Sequence, residues 1–121
     1  MTTRDQRRAQ AAFQRIKAVD AAPWSEKYGT QCLHLPALIH QSGLCQALTF
    51  LEAKAPKRPE CGRLRDDIIA VAELGSMEHV RTAELTLYQR LTREALACSQ
   101  WFKRYAEAIL RVEAGGEERN G

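Results

Sequence analysis

Residues 28 to 51 read Tyr28-Gly29-Thr30-Gln31-Cys32-Leu33-His34-Leu35-Pro36-Ala37-Leu38-Ile39-His40-Gln41-Ser42-Gly43-Leu44-Cys45-Gln46-Ala47-Leu48-Thr49-Phe50-Leu51. Tyr28, Cys32, Leu35 and Ile39 fall at i, i+4, i+7 and i+11, and Leu44, Ala47, Leu48, Leu51 and Ala55 repeat that period beyond the glycine. Two apolar helix faces therefore meet at Gly43, whose freedom to take positive φ lets one helix close and the next begin. Pro36 lacks the amide that would bond to the carbonyl of Cys32, so a kink or restart is expected near Leu35. The stretch predicts a helical hairpin with its apolar sides inward, a core element with no chemistry of its own.

Working outward, the same period continues in both directions. Thr3 is placed to cap a first helix, with Gln6 completing a capping box and Asp5 in the positive first turn. Ala9, Ala12, Phe13, Ile16 and Val19 form its inward stripe, and Ala22-Pro23-Trp24 ends it. Ser25 is the expected cap of the second helix, which reaches to about Ser42, and a third runs from about Leu44 to Ala53. Lys54-Ala55-Pro56-Lys57-Arg58-Pro59 is the clearest loop, since two prolines prevent helix continuation. A fourth helix spans about Glu60 to Leu74 on Leu64, Ile68, Val71 and Ala72, with Gly75 as its stop. Ser76 is placed to cap the next helical stretch. No proline or glycine interrupts Met77 to Ala114, where Tyr88, Ala95, Phe102 and Ile109 recur every seven residues beside Thr92, Ser99 and Ala106. A second stripe, Leu91, Cys98, Trp101, Tyr105 and Val112, widens that face, interrupted by Arg90, Arg93, Lys103, Arg104 and Arg111. A break between Thr82 and Thr86 is compatible with the pattern. The expectation is an all-α, compact bundle of five or six helices with a long C-terminal helix. Residues 1 to 113 form a single helical domain and 114 to 121, with three glycines and two glutamates, a disordered tail.

Composition narrows the function classes. The chain has 121 residues, 45% of them hydrophobic, enough to bury a core without metals or disulfides. No apolar run approaches the roughly 20 residues that cross a bilayer, and Met1 to Arg8 is charged, so no membrane association and a cytoplasmic location are expected. A net charge of +3 is too mild for tight independent nucleic-acid binding but suits a contribution to a shared groove. Cys32, Cys45, Cys61 and Cys98 form no Cys-x-x-Cys pair and have no histidines at zinc spacing, so they read as reduced, small hydrophobes.

A search for catalytic chemistry finds none. The chain has no glycine-rich phosphate loop, no His-Glu-x-x-His and no Gly-x-Ser-x-Gly. On a helix, Cys32 and His34 point about 160° apart, poor geometry for a nucleophile and its base. Asp66 and Asp67 diverge by about 100° and do not share an ion easily. We read the chain as non-enzymatic, with no cofactor and no metal. Arg4, Arg8 and Arg15 lie within about 40° on one face of the first helix, with Arg7 nearby, and read either as a phosphate-contacting ridge or as a solvated face.

Three segments in order carry a resemblance: Leu35-Pro36-Ala37-Leu38-Ile39 with Ser42-Gly43-Leu44 and Leu48-Thr49-Phe50-Leu51; Tyr88-Gln89-Arg90-Leu91-Thr92-Arg93-Glu94-Ala95-Leu96; and Trp101-Phe102-Lys103-Arg104-Tyr105-Ala106. Together with the basic N-terminal helix, they resemble the small helical subunit of the type III-B CRISPR effector, the Cmr RNA-silencing complex, over nearly the full length. The chain departs from the family pattern at Phe102-Lys103-Arg104-Tyr105, where Leu-Lys-Arg-Phe is usual, and its cysteines lie outside the pattern. The resemblance implies a non-catalytic structural subunit that stacks in several copies beside the larger backbone nuclease subunit and lines the channel for guide and target RNA. It implies other Cmr subunits, further copies of itself and RNA as partners. By charge and geometry the RNA-facing candidates are Arg4, Arg7, Arg8, Arg15, Lys103 and Arg104, with Lys57 and Arg58 behind them. Lys103 and Arg104 are equally compatible with ion pairs. Such contacts fall on phosphates and sugars, because base pairing with the guide reads the sequence. The alternative is a generic helical protein-protein adaptor without nucleic-acid binding, marked by an exposed apolar patch.

Overall fold

The computed structural model describes residues 1 to 113, and the tail expected at 114 to 121 lies outside the described residues. Six helices succeed one another: α1 (Arg4–Val19), α2 (Ser25–Ser42), α3 (Leu44–Lys54), α4 (Pro59–Val71), α5 (Met77–Thr82) and α6 (Leu85–Ala108). The described residues contain no strand. The all-α bundle with a long last helix is therefore the architecture that the chain forms.

Local chemistry sets most of the boundaries. The capping box at Thr3 forms as the sequence requires: the Gln6 amide donates to Thr3 Oγ1 at 3.0 Å and the Thr3 amide to Gln6 Oε1 at 2.8 Å. Ser76 accepts from the His79 amide and starts α5. Ser25 is not a cap but the first residue of α2, preceded by Trp24 with φ −104° and no side-chain cap bond. α2 continues unbroken through Pro36 rather than restarting. The one bond lost there is offset by burial, since Leu35, Pro36 and Ile39 are all covered. The hairpin turns at Gly43, with φ 87° and ψ 159°, a backbone conformation that a Cβ would strain. Gly43 offers α3 no side-chain cap, and Tyr88 of α6 substitutes: its hydroxyl accepts the Cys45 amide at 2.9 Å.

α4 ends earlier than the glycine signal suggests. Glu73, at φ 56°, reverses the chain two residues before Gly75. The Leu74 amide donates to the Ile69 carbonyl and the Glu73 amide to the Ala70 carbonyl, the paired bonds of a Schellman closure. The break before α6 falls at Ala83 and Glu84, where the Glu84 carboxylate accepts from the Leu87 amide and caps the helix.

α6 is the spine. It lies against α2 and α1 and touches α4, and it buries Leu91, Ala95, Cys98, Ser99, Phe102 and Ala106. Opposite them sit Ile16 and Val19 of α1, Tyr28, Leu35 and Ile39 of α2, and Leu64 and Ile68 of α4, each almost fully buried. Phe13 of the expected inward stripe of α1 stays 38% exposed and meets Tyr105 edge-on at 5.5 Å instead. Beyond α6, Arg111 at φ 62° turns Val112 back onto α2. A Cβ on Gly29 would stand 3.0 Å from Val112 Cγ2, so this glycine makes room for the returning chain.

Candidate nucleic-acid interface

The fold sorts the basic side chains into groups that face different ways. Arg8 is held by α6: its Nε and Nη2 donate to the two carboxylate oxygens of Glu94 at 2.7 and 2.8 Å, a bidentate pair, while Nη1 reaches Asp5 at 3.2 Å. The pairing lifts the Arg8 pKa still higher and holds the Glu94 carboxyl below the usual carboxylate range. Arg15 donates to Asp67 at 3.2 Å, and Arg63 donates to the same carboxylate at 3.0 Å. The remaining partner of Asp67 is the Tyr28 hydroxyl, at 2.6 Å. Asp67 has no solvent exposure; it ties α1, α2 and α4 together, whereas Asp66 is exposed and pairs with Arg65. Two of the six sequence candidates, Arg8 and Arg15, thus have their guanidinium groups committed to carboxylates of this chain.

Arg4 and Arg7 project from the exposed side of the first two turns of α1. Those turns cross α6, with Arg8 on Glu94 and Asp5 accepting from the Trp101 indole at 3.1 Å. Arg4 is close enough to Glu94 to help depress its pKa. On α6, Arg90, Arg93 and Arg104 lie within about 60° of one another on the side opposite Leu91, Ala95 and Phe102, and all three are exposed. Arg90 stands one turn before Glu94, the residue that holds Arg8, and Arg104 one turn after Trp101, the residue that holds Asp5. None of these five forms an ion pair with another described residue. Arg90, Arg93 and Arg104 therefore do not interrupt the apolar face of α6, as its stripe pattern suggests, but form the outer face of the helix. The helical wheel carries that signal, since all three lie opposite the buried positions.

Lys103 is apart from this group. It is half-buried on the flank of α6 that meets α2, beside a shallow recess with Pro36, His40 and Leu96. Lys57 and Arg58 are exposed in the α3–α4 connection.

Three of the four thiols, Cys32, Cys61 and Cys98, are buried. Burial raises the pKa of Cys32 and Cys61, and that of Cys98 to about 12 with help from the neighbouring Glu94 charge. No group of three or more His, Cys, Asp or Glu side chains among the described residues is arranged to hold a metal ion. No described helix is long and apolar enough to cross a membrane.

Residues 4–109 match the family model of a CRISPR-associated protein (Cas_Cmr5). The chain belongs to the Cmr5 family. It is 36% identical over 112 residues to the CRISPR system Cmr subunit Cmr5 of Thermus thermophilus, covering 91% of this chain and 98% of that one. The crystal structure of a CRISPR-associated Cmr5 family protein from the same organism superposes with a TM-score of 0.84 at 36% identity, covering 91% of this chain and 99% of the other. The family is that of a small subunit of the type III-B Cmr effector, so the helical fold and the segments around Leu35, Tyr88 and Trp101 belong to one assignment.

Proposed function

We propose that this Cmr5-family chain is a non-catalytic structural subunit of a type III-B RNA-silencing complex. It stacks in several copies along the backbone subunits and faces the guide and target RNA with the outer side of α1 and α6. The observation that carries this is the set of five exposed arginines on two packed helices, Arg4 and Arg7 of α1 and Arg90, Arg93 and Arg104 of α6, none of which forms an ion pair with another described residue. Exposed cations free of ion pairs suit phosphate contacts, which position a duplex without reading its sequence. Arg8 and Arg15 support the surface from beneath rather than touching RNA, and Lys103 belongs to a flank shared with α2. Phe13, Phe50 and Leu85, exposed by 38, 43 and 70%, supply apolar area for contacts with neighbouring subunits.

The test is reconstitution of the complex with Arg4, Arg7, Arg90 and Arg93 changed to glutamate. RNA retention across a salt gradient should fall, with a shallower salt dependence, while the assembly keeps its subunits. Unchanged retention in an intact assembly would remove RNA from this face and leave a protein-protein adaptor as the working description.

A further inference from the structure

A second basic surface lies where three distant parts of the chain converge. The N-terminal turns of α2, the α3–α4 connection and the segment after α6 enclose a groove of about 800 Å³. It is lined by Trp24, Lys27, Lys57, Arg58 and Arg111, among others. Lys27, Lys57, Arg58 and Arg111 form no ion pair with another described residue. Of the acids that line it, Glu60 is only 4% exposed and sits in the first turn of α4, where the helix dipole favours a carboxylate. Four cations therefore face two exposed acids, Glu26 and Glu113. Trp24 is half-buried and packs on Tyr28 with ring centroids 6.1 Å apart, which fixes its orientation in the wall.

Resting on the RNA-subunit reading, we infer that this groove binds a single-stranded stretch of RNA. The phosphates lie along Lys57, Arg58 and Arg111, and an unpaired base lies against Trp24. The groove's volume is within the span of about 300 to 1,000 Å³ typical of small-ligand sites, room for one or two nucleotides but not for a duplex. A fixed aromatic beside a string of cations is the combination that holds unpaired nucleotides without regard to sequence. Because the outer face of α1 and α6 contains none of these residues, each copy has two separate contacts with RNA, one for a paired stretch and one for an unpaired stretch.

The experiment uses the full chain and a fluorescein-labelled ten-nucleotide oligouridylate at several salt concentrations, with the variants K57E/R58E and R90E/R93E in parallel. Lys57 and Arg58 are exposed, so circular dichroism of K57E/R58E should match the parent. K57E/R58E should weaken binding about tenfold and lower the salt slope by about 1.4, the value for two lost contacts on a single strand. In a W101F background, leaving Trp24 as the one tryptophan, oligouridylate should quench fluorescence, and K57E/R58E should abolish the quench. If R90E/R93E weakens binding and K57E/R58E does not, the groove inference is wrong while the RNA reading stands. If neither variant matters, or the parent does not bind, the groove inference is wrong, while the RNA-subunit reading stands or falls with RNA retention by the reconstituted complex. Binding of oligoglutamate at the groove in preference to RNA would also overturn it and point to an acidic protein partner.

Discussion

Replacing Asp67 with alanine tests the central joint of the fold. Asp67 is wholly buried and accepts from Tyr28 at 2.6 Å, Arg63 at 3.0 Å and Arg15 at 3.2 Å. Its removal strands the Tyr28 hydroxyl, whose loss of a buried partner costs about 1 to 3 kcal/mol. Arg15 and Arg63 have side chains 42% and 36% exposed and can turn toward water, so each contributes less than a fully buried cation would. The whole loss should be about 3 kcal/mol, the low end for breaking a buried pair. For a chain of this size that lowers Tm by roughly 12 °C. Tyr28→Phe removes a single bond to a charged acceptor and should cost about 1.5 kcal/mol. In the alanine background the same change eliminates an orphaned hydroxyl and should be neutral or stabilising. A double-mutant cycle by urea unfolding should then give a coupling energy of about 2 kcal/mol. A D67A loss below about 1 kcal/mol, or additive losses within about 0.3 kcal/mol, would refute the account of Asp67 as the joint of α1, α2 and α4.

Glu73 occupies the left-handed position of the α4 closure at φ 56°, so Glu73→Gly should raise stability by about 0.5 to 1 kcal/mol, the relief of backbone strain less the added freedom of the unfolded chain. Thermal unfolding should show it, and a lower Tm would mean that the Glu73 side chain matters more than its backbone. The folded pKa of Glu94 is depressed below its ordinary value of 4.5 by Arg8. Its contribution is therefore fully present above that value and is lost as pH falls through the lower folded value. Glu94→Gln should cost about 1.5 kcal/mol at pH 7 and flatten the acid limb of a stability profile below pH 4.5; an unchanged acid limb would mean that other carboxylates set it.

How far the fold is legible in the sequence depends on the range of the interactions concerned. Thr3 and Ser76 cap helices through residues three positions away, and the Gly43 turn needs one residue of unusual backbone freedom; both are visible in a short window. The reversal after α4 is expected at Gly75, because glycine is the usual marker of positive φ, whereas Glu73 takes that role, held by the buried Leu74 behind it. Asp67 lies three residues after Leu64 and next to Ile68, on the apolar stripe of α4. A charge there announces a buried partner; Arg63, four residues earlier, is visible as an i, i+4 pair, but Tyr28 and Arg15 lie 39 and 52 residues away and no local pattern names them. Tyr88 serves as the cap of α3 from 43 residues away and is equally invisible to a local reading.

The arginines of α1 show the same limit and bear on function. Arg4, Arg8 and Arg15 share a face in the helical wheel, yet Glu94, 86 residues from Arg8, separates Arg8 from its neighbours. Removing Glu94 would make the outer face more positive and, by charge alone, a better phosphate surface. It would also release the bidentate clamp that seats the first turns of α1 on α6. Loosening α1 returns conformational freedom to Arg4 and Arg7, and about 0.5 to 1.5 kcal/mol is then needed to immobilise each on a ligand. An added charge at a solvated site contributes about 0 to 1 kcal/mol. Ordering therefore outweighs charge: the acid at position 94 strengthens the basic face that it partly neutralises.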